Sequence, residues 1–239
     1  MFLGRFVLSA VMFFAFFMAG FSVSAAASIP AKGEAVKLTS ELEDYREYEK
    51  IVLKPWNSDS DQVIPDYRAI YLFRASQYEA FLEKYPNSLL VPEVKLRLAE
   101  IYKDVERPEV FQYRKEMYYC LETASGSSLA AREKCIAEFW QNIEGRKRDP
   151  AYTKKAIALF YEIIQNYGYY KRYIMFEPRH GGFRHTEEDA GGYALYILSK
   201  GASPKDRVRI YEVILKQFQV REEIKKEMED FLQEYQGKH

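Results

Sequence analysis

Residues 77–102 carry two apolar stripes at helical spacing with a proline between them. Tyr78, Phe81, Leu82 and Tyr85 form the first stripe, and Val91, Val94, Leu98, Ala99 and Tyr102 the second. Pro86 lacks an N–H and crowds the turn before it, so it stops the first helix. Asn87 or Ser88 is placed to cap the second by accepting bonds from its free amides. The stretch reads as an αα-hairpin. Such a unit cannot bury its stripe alone, which asks for neighbours of the same kind.

The rest of the chain supplies them. Ser40 with Glu43 reads as a capping box for a first helix, which Pro55 stops. Asp66 caps the helix that leads into the hairpin. Further helical runs cover 109–123, 129–143, 151–167, 190–198, 204–218 and 222–235. Three runs superimpose: Tyr78, Phe160 and Tyr211 share one position, Phe81, Ile163 and Ile214 the next, then Leu82, Ile164 and Leu215. Tyr85, Tyr167 and Phe218 close each run. The runs are unequally spaced, so the array is irregular. Ser203 and Pro204 open one helix, and Gly201 is expected to end the one before it. The charge-rich last helix fits a capping element with a solvated outer face. Asp59 and Asp61 lack the spacing and closing glutamate of a calcium loop. Arg146, Lys147 and Arg148 read as a solvated turn rather than a binding patch.

Residues 1–25 read as a secretory signal peptide. Arg5 precedes an uncharged apolar run from Phe6 to Phe21, and Val23-Ser24-Ala25 offers a small-x-small cleavage pattern. The alternative is an uncleaved N-terminal anchor, and membrane association is expected only through that or through a partner; the run is shorter than the roughly 20 residues of a spanning helix. No cysteine at the cleavage point offers a lipid attachment, and 26–38 reads as a flexible lead-in. The helical domain then extends over 39–236. Export, with a bacterial periplasm as the expected compartment, gives meaning to the cysteine pair. Cys120 and Cys135 flank a turn at 124–128 between two helical runs, which allows a disulfide in an oxidising compartment. The alternative is two buried thiols. The pair is not C-x-x-C, so a redox catalyst is not indicated. Lysine plus arginine equals aspartate plus glutamate, 35 of each, which gives no support for a nucleic-acid partner.

One segment, 169–192, departs from the helical pattern and reads as a long loop. It holds His180 and His185, two Gly-Gly pairs, and the acidic run Thr186-Glu187-Glu188-Asp189 as the start of the following helix. His180, His185 and Glu187 offer ligands to zinc, but H-x4-H with glycines between is no known metal signature. His185 with a nearby carboxylate offers acid–base chemistry, yet no nucleophile stands beside it. No dinucleotide fingerprint, phosphate loop or G-x-S-x-G occurs, and no cofactor is expected. An enzyme would have to use this loop.

Residues 69–104 resemble the tetratricopeptide-like repeats of bacterial envelope proteins. Phe81-Leu82-x-x-Tyr85-Pro86-x-Ser88 and then Leu96-Arg97-Leu98-Ala99-x-x-Tyr102 carry the likeness. It is nearest to the outer-membrane assembly lipoproteins and the periplasmic coordinator of the Tol–Pal system, without the lipidated cysteine of the former. The resemblance implies an all-α chain of paired antiparallel helices stacked as a short irregular solenoid that binds envelope proteins. The expected function is a periplasmic scaffold or adaptor without catalysis. The rivals are a metal-dependent envelope hydrolase using the 169–189 loop and a structural subunit of an envelope assembly. The candidate partner-binding residues are those not needed for helix stacking: Trp56, Tyr169, Tyr170, Tyr173, Arg179, His180, Arg184 and His185.

Overall fold

The computed structural model describes residues 42–54, 64–124, 129–176 and 181–237. The signal segment, the lead-in, Ser40, Trp56, the Asp59–Asp61 turn, Arg179 and His180 lie outside them. The described chain is all-α in class, with nine helices and one two-stranded antiparallel sheet. The helices are α1 (Glu43–Leu53), α2 (Tyr67–Lys84), α3 (Val91–Asp104), α4 (Pro108–Thr123), α5 (Leu129–Ile143) and α6 (Pro150–Tyr167). Strands β1 (Lys171–Met175) and β2 (Phe183–Asp189) follow, then α7 (Ala190–Ser199), α8 (Pro204–Gln217) and α9 (Glu222–Gly237). The chain divides into two compact units. One comprises 47–162, and the described part of the other is 42–46 with 163–237.

The unit of 47–162 contains the expected hairpin. Asp66 caps α2 by accepting from the Ala69 amide at 3.0 Å. Helix α2 ends at Lys84, just before Pro86, and packs on α3. The second cap falls later than expected. Ser88 Oγ accepts from the Leu90 amide at 3.1 Å, and Leu90 stands at the N-cap without a side-chain bond of its own. Pro92 explains the shift, because its missing N–H is tolerated only in a helix's first turn. Tyr78, Phe81, Leu90, Val94, Leu98, Ala99 and Tyr102 are buried. Tyr48 of α1 is fully buried and meets the Tyr78 and Phe81 rings at 6.4 and 6.3 Å. Full burial of each large ring is worth about 1.5–3 kcal/mol. Arg74 donates to the carbonyls of Ile51 and Lys54, closing the C-terminal end of α1.

Helices α4 and α5 pair through a Cys120–Cys135 disulfide, with the Cα atoms 5.8 Å apart. The turn after α5 does more than face solvent. Glu106 and Arg148 form an isolated β-bridge, the Arg107 amide donates to the Lys147 carbonyl at 3.0 Å, and the Asp149 amide to Val105 at 2.9 Å. Gly145, at φ +64°, makes the reversal that starts this turn. Asp149 also opens α6, accepting from the Ala151 amide at 2.9 Å. Burial alone would push its carboxyl up, but hydrogen bonds from Arg68 and Ala151 hold it below the usual carboxylate range.

The second unit overturns the loop expected at 169–189: β1 and β2 form a hairpin. Met175 pairs with Phe183, Ile174 with Arg184, and Tyr173 with His185. Gly181 and Gly182, at φ +136° and +69°, precede β2 in conformations that side-chain-bearing residues rarely adopt. The 186–189 run is strand, not the first turn of a helix. Asp189 does stand at the N-cap of α7, but its carboxylate turns away from that helix. It accepts from the Gln219 amide at 2.7 Å and pairs with Lys171 at 2.8 Å.

The second Gly-Gly pair is a packing device. The Gly191 amide donates to the Gly168 carbonyl at 2.9 Å, and a Cβ on Gly191 would lie 2.7 Å from Gly168 Cα. Gly191→Ala is therefore expected to destabilise this unit by about 1–3 kcal/mol, read as a fall in the urea midpoint. An unchanged midpoint would show that the α6–β1 turn yields freely. Helix α7 ends as expected at Gly201, through Lys200, with the Gly201 amide donating to Leu198 O at 3.2 Å. Ser203 caps α8 as expected, accepting from the Asp206 amide at 3.2 Å. Tyr196, Tyr211, Ile214, Ile224 and Met228 make the core that α7, α8 and α9 share. Two of the superimposed positions agree in burial: Tyr78, Phe160 and Tyr211 are buried, as are Phe81, Ile163 and Ile214; at the next, Ile164 is buried while Leu82 and Leu215 are half-buried.

Candidate binding surface on the hairpin

The hairpin gathers the candidate residues that the structure describes, but gives them different environments. Tyr173 is 7 % exposed and belongs to the packing. Its ring meets Tyr45 edge-on at 5.1 Å, stacks on Phe183 at 5.7 Å, and lies 5.0 Å from the His185 ring. Tyr170 is half-buried, edge-on to His185 at 5.8 Å, and its carbonyl accepts from the Ala190 amide at 2.9 Å. Three candidates, Tyr170, Tyr173 and His185, thus form one aromatic cluster with Tyr45 and Phe183. Their residue types signalled function, but the pairing of β1 with β2 turns them inward.

His185 is fixed by two partners. Its Nδ1 lies 2.8 Å from the Lys171 carbonyl, which can only accept, so Nδ1 carries the proton. Its Nε2 faces the Tyr45 hydroxyl at 3.4 Å. Burial, with the Asp44 carboxylate adding to it, pushes Tyr45 up to about 12. That hydroxyl keeps its proton near neutrality and lies against Nε2. Both ring nitrogens are therefore engaged within the protein. Among the described residues no group of three or more His, Cys, Asp or Glu side chains is placed to hold a metal ion. Glu187 is exposed on β2.

Two candidates face outward. Tyr169 is 65 % exposed and stacks on Phe218 at 5.3 Å. Arg184 is exposed, with its guanidinium 3.9 Å over the Phe176 ring. Each is exposed and rests on an aromatic neighbour.

A buried ionic network supports the hairpin, and sequence reasoning missed it. The register breaks between Lys171 and Tyr173, where β2 spends more residues than β1. Such a bulge re-aims side chains. Here Arg172 and Glu188, 1 % and 2 % exposed, meet at 2.9 Å. Arg221 reaches the other Glu188 oxygen at 3.0 Å, and the Tyr193 ring covers Arg172 at 4.0 Å. Lys171 Nζ joins the base of the hairpin to Gln219 Oε1 at 2.6 Å. The partners of Glu188 lie 16 and 33 positions away, so no local pattern announces them.

Comparison with protein-family models, with curated proteins and with solved structures finds no match for this chain.

Proposed function

We propose that this protein is a non-enzymatic binding scaffold of the bacterial periplasm, built on tetratricopeptide-like helical pairs. The outer side of the hairpin, with Tyr169 and Arg184, is its contact for an envelope protein. The observation that carries this reading is the contrast within the hairpin. Its inner residues are locked by packing and ion pairs, while an exposed tyrosine and an exposed arginine are each braced on a ring. Tyrosine and arginine recur at the energetic centres of protein interfaces, and bracing lowers the entropy lost on binding. The Cys120–Cys135 disulfide and the N-terminal signal pattern support an exported chain.

The test compares the purified protein with a Tyr169→Ala/Arg184→Ala variant as baits in envelope extract. A specific protein retained by the parent and lost by the variant, with unchanged circular dichroism, is the expected result. A partner captured equally by both baits would remove this face from the reading. No specific partner for either would remove the scaffold reading itself.

A further inference from the structure

Within the unit of 47–162, where α2, α4, α5 and the turn after α5 come together, lies a half-open cleft of about 380 Å³. Small-molecule sites begin near 300 Å³ and pair apolar walls with a few fixed polar groups. The floor is an ion pair. Arg114 Nη2 donates to both Glu106 oxygens, at 2.8 and 2.6 Å, and both residues are buried. The Tyr67 ring covers this guanidinium at 4.6 Å. Tyr67 and Tyr71, one turn apart on α2, and Phe139 from α5 supply aromatic walls. Lys147 and Arg148 stand at the rim, on the turn that the β-bridge and Gly145 hold in place.

The charges do not balance. Three cations line the cleft against the two carboxylates of Asp104 and Glu106. Glu106 is already satisfied, because Arg114 holds both its oxygens and Arg68 donates to its carbonyl at 2.5 Å. Lys147 Nζ, 3.6 Å from Glu106, stands beyond hydrogen-bond reach, and its side chain is 51 % exposed. Arg148 pairs with Asp104 at 3.1 Å on a side chain 58 % exposed. Both cations sit on side chains more than half exposed, where ion pairs hold weakly, so an incoming anion can take them over at little cost. A structural role for the turn needs its backbone bridge but not two cations at the mouth of an aromatic cleft.

We infer that this cleft binds a small aromatic anion, its ring between Tyr67 and Phe139 and its carboxylate or phosphate on Lys147 and Arg148. This site is separate from the hairpin contact and independent of the scaffold reading. Sodium benzoate and phenyl phosphate test it, titrated into the purified protein by calorimetry, with acetate and inorganic phosphate as ring-free controls. The expected result is saturable binding of an aryl probe at one site. It weakens about tenfold, one charge-assisted contact, in Lys147→Ala or Arg148→Ala, and again in Tyr67→Ala. All three side chains are substantially exposed, so the variants should melt with the parent; Lys147→Gln serves where the alanine does not. Three outcomes overturn the inference: no saturable binding by the parent, binding undiminished in the rim variants, or equal affinity for the ring-free anions.

Discussion

Replacing Glu188 with alanine is expected to destabilise the hairpin unit by about 3–5 kcal/mol, because it removes one partner of a buried ion pair. Arg172 is 1 % exposed, and the Tyr193 ring lies over it at 4.0 Å. A cation–π contact of about 2 kcal/mol cannot replace a charge-assisted hydrogen bond and also offset the desolvation. Removing both charges together is another matter. An Arg172→Met/Glu188→Leu pair is expected to recover most of the loss, since well-packed apolar residues often do as well as a buried pair. Arg221, 45 % exposed on its side chain, can turn to solvent in that variant. Native-state hydrogen exchange reads the result by region. Protection should fall in β1, β2 and α7 of the single variant and stay unchanged in α2 and α3. A single variant as stable as the parent would mean that the network merely fills space.

The contrast between this network and the 78–102 hairpin explains what a reader of the sequence can and cannot see. Tyr78, Phe81, Val94 and Leu98 announce themselves because helical packing repeats every three or four residues along one segment. Asp66 and Ser203 are legible for the same reason, since a cap acts on an amide three residues away. Cys120 and Cys135, at a separation of 15, are still close enough for an antiparallel pair to be drawn. The hairpin offers no such signal. Its strands are short, and a register break interrupts the alternation that would mark them. The glycines of this segment act in two ways. Gly181 and Gly182 adopt positive φ, while Gly191 allows close approach to Gly168. The candidate residues divide on the same line. Tyr169 and Arg184 remain available, whereas Tyr173 and His185 are used by long-range packing that composition does not encode. The Lys147–Arg148 turn carries no local signal, because Glu106, Tyr67 and Phe139 join it in the cleft from three other segments.

The other large effect concerns the α4–α5 pair. Reducing Cys120–Cys135, or replacing both residues with serine, is expected to destabilise this pair by about 3 kcal/mol, the loop-closure entropy of a 15-residue separation. The reason for so strong a dependence is the small core. Val110, Phe139 and Ile143 are its buried members, with Tyr113 and Met117 packed against them, while Leu129, Ile136 and Trp140 of α5 remain exposed. Burial of three side chains at about 1.5–3 kcal/mol each is comparable to the conformational entropy of only a few ordered residues. A pair so poor in apolar contact leans on a covalent staple, as small domains do. Hydrogen exchange with and without a phosphine reductant should show protection lost in α4 and α5 first, with α7, α8 and α9 unaffected. Equal protection in both states would mean that the helices hold without the bond. Loss confined to α4 and α5 has a further consequence, because Phe139 and Arg114 also line the aromatic cleft. Reduction should then weaken aryl-anion binding together with the helix pair, and the proposed ligand would be held only where the disulfide survives, as it does in an oxidising compartment.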